Sequence, residues 1–103
     1  MSLTPDQRAA TRAEFAANLR LSGQTPRRVA VGLHISEAKL QRVMTLTQQS
    51  LNDPWILRNY LLAAVAATGQ TPVPFTALAG DWHRYWFLDA DAIDQQAMSP
   101  GDQ

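Results

Sequence analysis

The sequence contains no cysteine among its 103 residues, which excludes a disulfide framework, a thiolate nucleophile and a thiolate metal site. Charged residues make up only 17% of the chain and aromatic residues 8%. No apolar run approaches the roughly 18 residues of a membrane-spanning helix, and the stretch MSLTPDQRAATRAEF has charges where a signal peptide would be apolar. These absences favour a cytoplasmic protein, and the length predicts a single domain over residues 1–95.

The motifs of common enzymes and cofactor sites are also missing. There is no glycine-rich phosphate loop and no nucleophile elbow, and His34 and His83 lack the spacing of metal ligands. The carboxylates near the carboxy terminus lack the glycine-centred loop of a calcium site; they are Asp81, Asp89, Asp91 and Asp94. We therefore expect no enzymatic activity, no cofactor and no metal.

The net charge of zero conceals two halves of opposite sign. Residues 1–48 contain seven basic and three acidic residues, a net charge of +4, whereas residues 49–103 have a net charge of −4. An excess of arginine in one half favours contact with an anionic partner on that side of the molecule.

A capping side chain followed by proline predicts the start of three helices. These pairs are Thr4-Pro5, Thr25-Pro26 and Asp53-Pro54. Ser36 predicts the start of a further helix and Asp89 that of a short last one. Gly23 is expected to end the first helix and Gly69 the fourth. The sequence therefore predicts a mainly α protein with about five helices.

The fourth predicted helix has two apolar sides. At 100° per residue, one broad face carries Ile56, Leu57, Tyr60, Leu61, Ala64 and Val65. Trp55, Leu62 and Ala66 fall on the other side. A helix with this pattern is either central in its domain or partly covered by a partner.

Pro72 and Pro74 exclude a helix in the stretch that follows and favour extended chain. The segments PFTAL and HRYWFL predict either a short hairpin or an irregular extended stretch within residues 72–88. Residues 96–103 are expected to form a disordered tail.

The segment GQTPRRVAVGLHISEAKLQRVM contains two short predicted helices joined at His34-Ile35. Ala30 supplies the small residue of a close helix crossing, and His34 stands where a left-handed backbone is needed. The apolar positions behind the turn are Leu33, Ile35, Leu40 and Val43. Over about residues 25–45 this segment resembles the helix-turn-helix of the lambda repressor and Cro class.

That resemblance implies phosphate contacts from Arg27 and Arg28. The outer face of the third helix would enter the major groove; its residues are Ser36, Glu37, Ala38, Lys39, Gln41, Arg42 and Thr45. Arg42 suits guanine and Gln41 suits adenine, each contact being worth about 1–3 kcal/mol of discrimination. Pro26 departs from the class, which often has a phosphate-binding glutamine there, and Glu37 would repel phosphates unless it accepts from cytosine.

The aromatic residues near the carboxy terminus allow three interpretations. They form a platform for bases or a ligand, a cover for the fourth helix or a dimer contact, or a wing that brings Arg84 to a phosphate. The candidate dimer surface consists of Trp55, Leu62, Ala66, Trp82, Tyr85 and Trp86.

Through MSLTPDQRAATR, DPWILRNYLL, TPVPFTALAGD and HRYWFLDADAID, nearly the whole chain resembles a family of small bacterial proteins of unknown function, domain-of-unknown-function family twenty-three-sixteen. This resemblance implies a bacterial origin and a helix-turn-helix fold without an established activity. We predict a homodimeric transcriptional regulator that binds double-stranded DNA. The alternative is a non-enzymatic protein-interaction module that keeps the helix-turn-helix shape without binding DNA.

Overall fold

The computed structural model describes residues 3–103; Met1 and Ser2, which open the predicted domain, lie outside the described residues. The helices are α1 (Pro5–Ser22), α2 (Pro26–Leu33), α3 (Glu37–Met44), α4 (Asn52–Ala67) and α5 (Ala90–Asp94), with a 3₁₀ turn at Trp82–Arg84. The predicted mainly α fold with five helices is confirmed. None of the helices formed by residues 3–103 has both the length and the apolar character needed to cross a membrane.

The helix boundaries follow the capping signals of the sequence at most positions. Thr4 accepts a hydrogen bond from the Gln7 amide at 3.2 Å, and the Gln7 side chain accepts one from the Thr4 amide at 2.9 Å. This reciprocal pair satisfies two amides that would otherwise lack partners. Gly23 ends α1 in the left-handed conformation, and Asp89 caps α5 through the Ala92 amide.

The start of α4 differs from the prediction. The helix begins at Asn52, before the predicted cap, and Leu51 precedes it without a side-chain capping bond. Asp53 lies inside the first turn, and its carboxylate forms an ion pair with Lys39 instead of capping the helix. The prediction that Asp53 caps α4 is therefore wrong, because its carboxylate pairs with the buried ammonium group of Lys39.

The core is built around α4, which packs against α1, α3 and α5. The predicted inner face of α4 is confirmed at Ile56, Leu57, Leu61 and Val65, which are completely buried. Burying a side chain of this size contributes about 1.5–3 kcal/mol to folding. From α1, Phe15 packs in this core edge-on against Phe75 of the segment that follows α4.

Residues 72–88 contain no strand, so the hairpin alternative is wrong for this part of the described chain. Side chains of α1 bind this backbone instead. Asn18 accepts from the Val73 amide at 2.8 Å and donates to the Val73 carbonyl at 2.9 Å. Glu14 accepts from the amide and the hydroxyl of Thr76. Because these polar groups are satisfied by a helix, the segment needs no partner strand.

The carboxy-terminal residues, expected as a disordered tail, lie against α3 and α4 in the structure. Ser99 donates from its amide and its hydroxyl to the two carboxylate oxygens of Asp53, at 2.9 and 2.6 Å. Two further tail residues, Asp102 and Gln103, lie beside α3. The tail therefore lies next to the predicted DNA-contacting helix.

Candidate nucleic-acid interface

The first turn of α2 presents two arginines to solvent. Thr25 caps this turn by accepting from the Arg28 amide at 3.2 Å, and Pro26 occupies the first helical position. Arg27 and Arg28 are both exposed, and neither takes part in an ion pair among residues 3–103. The turn therefore combines two free guanidinium groups with the positive end of a helix dipole.

The turn between α2 and α3 has the backbone conformation that the sequence predicts. His34 is left-handed, with φ 59° and ψ 41°, and the Ile35 amide donates to the Ala30 carbonyl at 3.0 Å. This bond closes the end of α2, since it satisfies a carbonyl that the helix leaves free. Ser36 then caps α3 by accepting from the Lys39 amide at 3.0 Å.

Apolar residues of both helices hold this turn onto the rest of the protein. On α2, Val29, Ala30 and Leu33 are buried, and on α3, Leu40 and Val43 are completely buried. These are the positions that the helical spacing predicts for the inner faces. The two helices are thus attached through one apolar layer, and most of their opposite faces are left to solvent.

A close contact between α2 and α4 was not marked by the sequence pattern. A Cβ atom added at Gly32 would lie 2.7 Å from the Tyr60 hydroxyl oxygen, so only glycine fits without movement of that ring. The same hydroxyl donates to the Gln24 side chain at 2.7 Å. Gly32 therefore leaves space for the Tyr60 ring where α2 passes α4.

The outer face of α3 is open to solvent at most of the predicted positions. The exposed residues are Glu37, Ala38, Gln41, Arg42 and Thr45. Ser36 is half-buried and its hydroxyl is engaged in capping, while the Thr45 hydroxyl donates to the Gln41 carbonyl at 2.8 Å. The structure thus brings together one arginine, one glutamine and one glutamate on a single accessible helix.

Lys39 was predicted to contact DNA, and this prediction is wrong. Its side chain is 0% exposed and lies 3.2 Å from the Asp53 carboxylate. Its ammonium group also donates to the carbonyl and hydroxyl of Ser99, at 2.6 and 2.9 Å, and to the Gly101 carbonyl. All of its donors face the protein interior, so Lys39 joins α3 to α4 and to the tail.

The end of the tail occupies part of the α3 surface. Arg42 donates to the Asp102 carbonyl at 2.8 Å, and the Gln103 side chain accepts from the Ser36 amide at 2.9 Å. The Asp102 carboxylate in turn accepts from the Gln49 amide at 2.9 Å. Two groups predicted to touch DNA are therefore bound to the tail in this structure.

The candidate dimer surface is divided by the fold. Trp55 is buried against the rings of Trp82 and Tyr85, whose centroids lie 6.3 and 5.7 Å from its own. The aromatic segment, residues 82–87, thus covers this side of α4 within one chain. Trp86 is different, because it is 90% exposed. Of the two remaining residues of the candidate surface, Leu62 is half-buried and Ala66 exposed.

His83 forms an exposed cluster with two carboxylates. Its ring nitrogens lie 2.6 Å from Asp81 and 2.7 Å from Asp94. The hydrogen bond to Asp94, followed by that to Asp81, raises the pKa of His83, and the bond to His83 lowers the pKa of each carboxyl group. Within residues 3–103, no group of three or more such side chains is arranged to hold a metal ion.

Searches among curated proteins and among solved structures found no match. A family profile does match the sequence, over residues 1–89, which includes α1 to α4 and the aromatic segment. A match over this much of the chain shows that the protein belongs to the family described as "Uncharacterized protein conserved in bacteria (DUF2316)".

Proposed function

We propose that α2 and α3 form a helix-turn-helix of the lambda repressor and Cro class, and that the protein is a transcriptional regulator that binds double-stranded DNA. The observation that carries this proposal is the pairing of two eight-residue helices across the left-handed His34. Their inner faces are buried, and α3 keeps an exposed outer face of a length suited to the major groove.

In this proposal each exposed residue has a defined role. Arg27 and Arg28, at the amino-terminal end of α2, bind phosphates and contribute affinity without sequence preference. Gln41 and Arg42 read base edges in the major groove. Glu37 favours cytosine, whose amino group is a donor, and disfavours bases that present only acceptors. Lys39 has no role at the interface, because its ammonium group is buried.

The tail must release part of α3 before the full surface can engage DNA. One guanidinium nitrogen of Arg42 donates to the Asp102 carbonyl and holds the group beside the tail, so turning its fork toward guanine breaks this bond. An exposed hydrogen bond of this kind contributes about 0.5–1.5 kcal/mol net. A bidentate contact to guanine is worth as much or more, so the exchange is energetically accessible.

Useful affinity would come from a homodimer, since one motif makes few contacts. A two-fold dimer would read half-sites about 34 Å apart. Trp86 is the large aromatic residue left free for such a contact, at 90% exposed. Trp55 is buried beneath Trp82 and Tyr85 and is therefore removed from the proposed dimer surface, whereas those two rings are half-buried.

A second candidate function, a protein-interaction module, is favoured by the same tryptophan. An exposed tryptophan is an unusual surface residue and is enriched at the centres of protein interfaces. Glu37 on the outer face of α3 also opposes contact with phosphates. In this alternative α2 and α3 serve only as a scaffold, and a partner protein binds at Trp86.

Binding to a random-sequence duplex pool, at about 50 and 200 mM salt, distinguishes the two functions. DNA binding predicts enrichment of a palindromic site. Arg42→Ala should remove the sequence preference, whereas Arg27→Ala/Arg28→Ala should weaken binding to all sequences and reduce its salt dependence. The matched control is Arg12→Ala/Arg20→Ala, which removes the same charge from exposed positions on α1. Retention of no duplex at the lower salt would refute the proposal.

A further inference from the structure

A cleft of about 310 Å³ is lined in part by the loop that follows α3. Its walls come from the start of α1, residues 46–51, the first turn of α4, residues 77–78 and the aromatic segment. The apolar lining includes Leu46, Pro54, Trp55, Leu78 and Phe87. A cleft of this size, mainly apolar with a few polar groups, is typical of sites for small organic molecules.

Arg8 supplies a positive charge to this cleft. One of its guanidinium nitrogens donates to the Leu46 carbonyl at 2.7 Å. Leu46 adopts a left-handed conformation, with φ 60°, which is rare for a leucine. No ion pair among residues 3–103 includes Arg8. The half-buried Arg8 therefore has further guanidinium donors for another acceptor.

The side-chain oxygen of Gln48 accepts no hydrogen bond within the described residues. Its amide nitrogen donates to the Ser50 carbonyl at 3.1 Å, but its side-chain oxygen is buried and has no hydrogen-bond partner among the described residues. A buried oxygen left in this state costs about 1–3 kcal/mol, so such groups are rare in folded proteins. Gln48 lines the same cleft as Arg8.

We propose that this cleft binds a small aromatic or aliphatic carboxylic acid that also carries an N–H or O–H donor. The carboxylate pairs with Arg8, and the apolar body packs against Trp55, Leu78 and Phe87. Because the Gln48 side-chain oxygen is buried before the ligand binds, the Gln48 side chain turns on binding so that this oxygen accepts from the ligand donor. The carboxylate, the donor and the apolar body of the ligand correspond to the Arg8 cation, the Gln48 oxygen and the apolar lining of the cleft. The proposal does not depend on DNA binding, because the cleft residues are separate from those assigned to DNA.

Calorimetric titration with three compounds of similar shape tests this inference. Indole-3-acetate has a carboxylate and an N–H donor, 1-naphthylacetate lacks the donor, and indole-3-ethanol lacks the carboxylate. We expect one molecule of indole-3-acetate to bind per chain, with affinity at least about tenfold higher than that of indole-3-ethanol. Its advantage over 1-naphthylacetate should be smaller, because the Gln48 bond is between neutral groups.

Two variants assign the contacts. Arg8→Met should weaken indole-3-acetate at least about tenfold and leave indole-3-ethanol unchanged. Gln48→Met should abolish the advantage of indole-3-acetate over 1-naphthylacetate. Arg12→Met, which removes an exposed charge one turn along α1, is the matched control and should bind like the wild type. Thermal unfolding of each variant establishes that it is folded at the titration temperature.

Two results would overturn the inference. One is the absence of saturable binding of all three compounds at about 5 mM, a concentration that detects even millimolar affinity. The other is equal affinity for the acid and the alcohol in the wild type. The second result does not depend on any variant, so a loss of folding in Arg8→Met would leave the proposal open to refutation.

Discussion

Lys39 and Asp53 form an ion pair of 3.2 Å in which neither side chain is exposed to solvent. The pair joins the first turn of α3 to the first turn of α4, and Ser99 completes it by donating to both carboxylate oxygens. Removing two charges from water is costly, and here their mutual attraction and four hydrogen bonds to Ser99 offset that cost. The charges have no route to a ligand, so their role is in the fold.

Removing one member of this pair should be more harmful than removing both. Lys39→Met leaves the Asp53 charge buried without its cation and should lower the free energy of unfolding by about 3–5 kcal/mol. Lys39→Met/Asp53→Leu/Ser99→Ala removes the three polar side chains together, leaves no buried charge and only the backbone groups of Ser99 and Gly101 without these partners, and should cost less. Urea unfolding measures both. A triple variant less stable than Lys39→Met would contradict this account.

Asn18 should be one of the most sensitive polar residues of α1. Asn18→Leu removes the partners of the Val73 amide and carbonyl, and we expect a loss of about 2–4 kcal/mol in the free energy of unfolding. Hydrogen exchange of the Val73 amide should also accelerate. Arg12→Ala is the control, because substitution of an exposed residue on the same helix typically changes stability by less than about 0.5 kcal/mol. Equal effects of the two changes would be inconsistent with the Asn18 bonds.

The His83 cluster predicts a pH dependence of stability. Because the pKa of His83 is raised above 6.5 in the folded state, its contribution is fully present below that value and is lost as the pH rises through the folded pKa. The pKa values of Asp81 and Asp94 are lowered below 3.8, so their contribution is lost as the pH falls through their folded values. His83→Gln should therefore be most destabilising at mildly acidic pH.

NMR titration of the His83 ring tests the cause of this shift. Asp94→Asn should lower the pKa of His83 more than Asp81→Asn does, since the hydrogen bond to Asp94 is the largest contribution. Asp91→Asn, on the same short helix, is the control and should leave the pKa of His83 nearly unchanged. A His83 pKa at or below 6.5 in the wild type would show that the cluster does not form.

Weakening the tail contact should increase DNA affinity if the proposed function is correct. Asp102→Ala/Gln103→Ala removes the side-chain bonds to Gln49 and Ser36 and loosens the backbone held by Arg42. Release of about 0.5–1.5 kcal/mol corresponds to a gain of about two- to tenfold in affinity for the selected duplex.

The same two substitutions in an Arg42→Ala background separate release of Arg42 from loss of the Asp102 charge. Release of Arg42 predicts no gain in that background, whereas a simple charge effect predicts the same gain in both. If neither form binds DNA, the proposed function fails, and the tail contact is not tested by this measurement.

Much of the region around the turn was predictable because its determinants are local. Caps, proline at the first helical position and the left-handed His34 act over a few residues, so the sequence alone predicts α1, α2, α3 and α5. Helical periodicity likewise predicts the buried residues of α2 and α3. The burial of Lys39 was not predictable by these means. Its position on the wheel is compatible with solvent, and its partner Ser99 is separated from it by 60 residues.

Sequence by itself therefore determined the number of helices, the limits of most of them and the residues that face the core, since each depends on neighbours along the chain. Tertiary structure decided which charges remain available. It buried Lys39 with Asp53 and bound Arg42 to the Asp102 carbonyl. Between a hairpin and irregular chain, it selected irregular chain for residues 72–88, held by bonds from Asn18 and Glu14. The physical reason is that a long polar side chain is as compatible with water as with a buried partner. Only the packing of distant segments determines which of the two it meets.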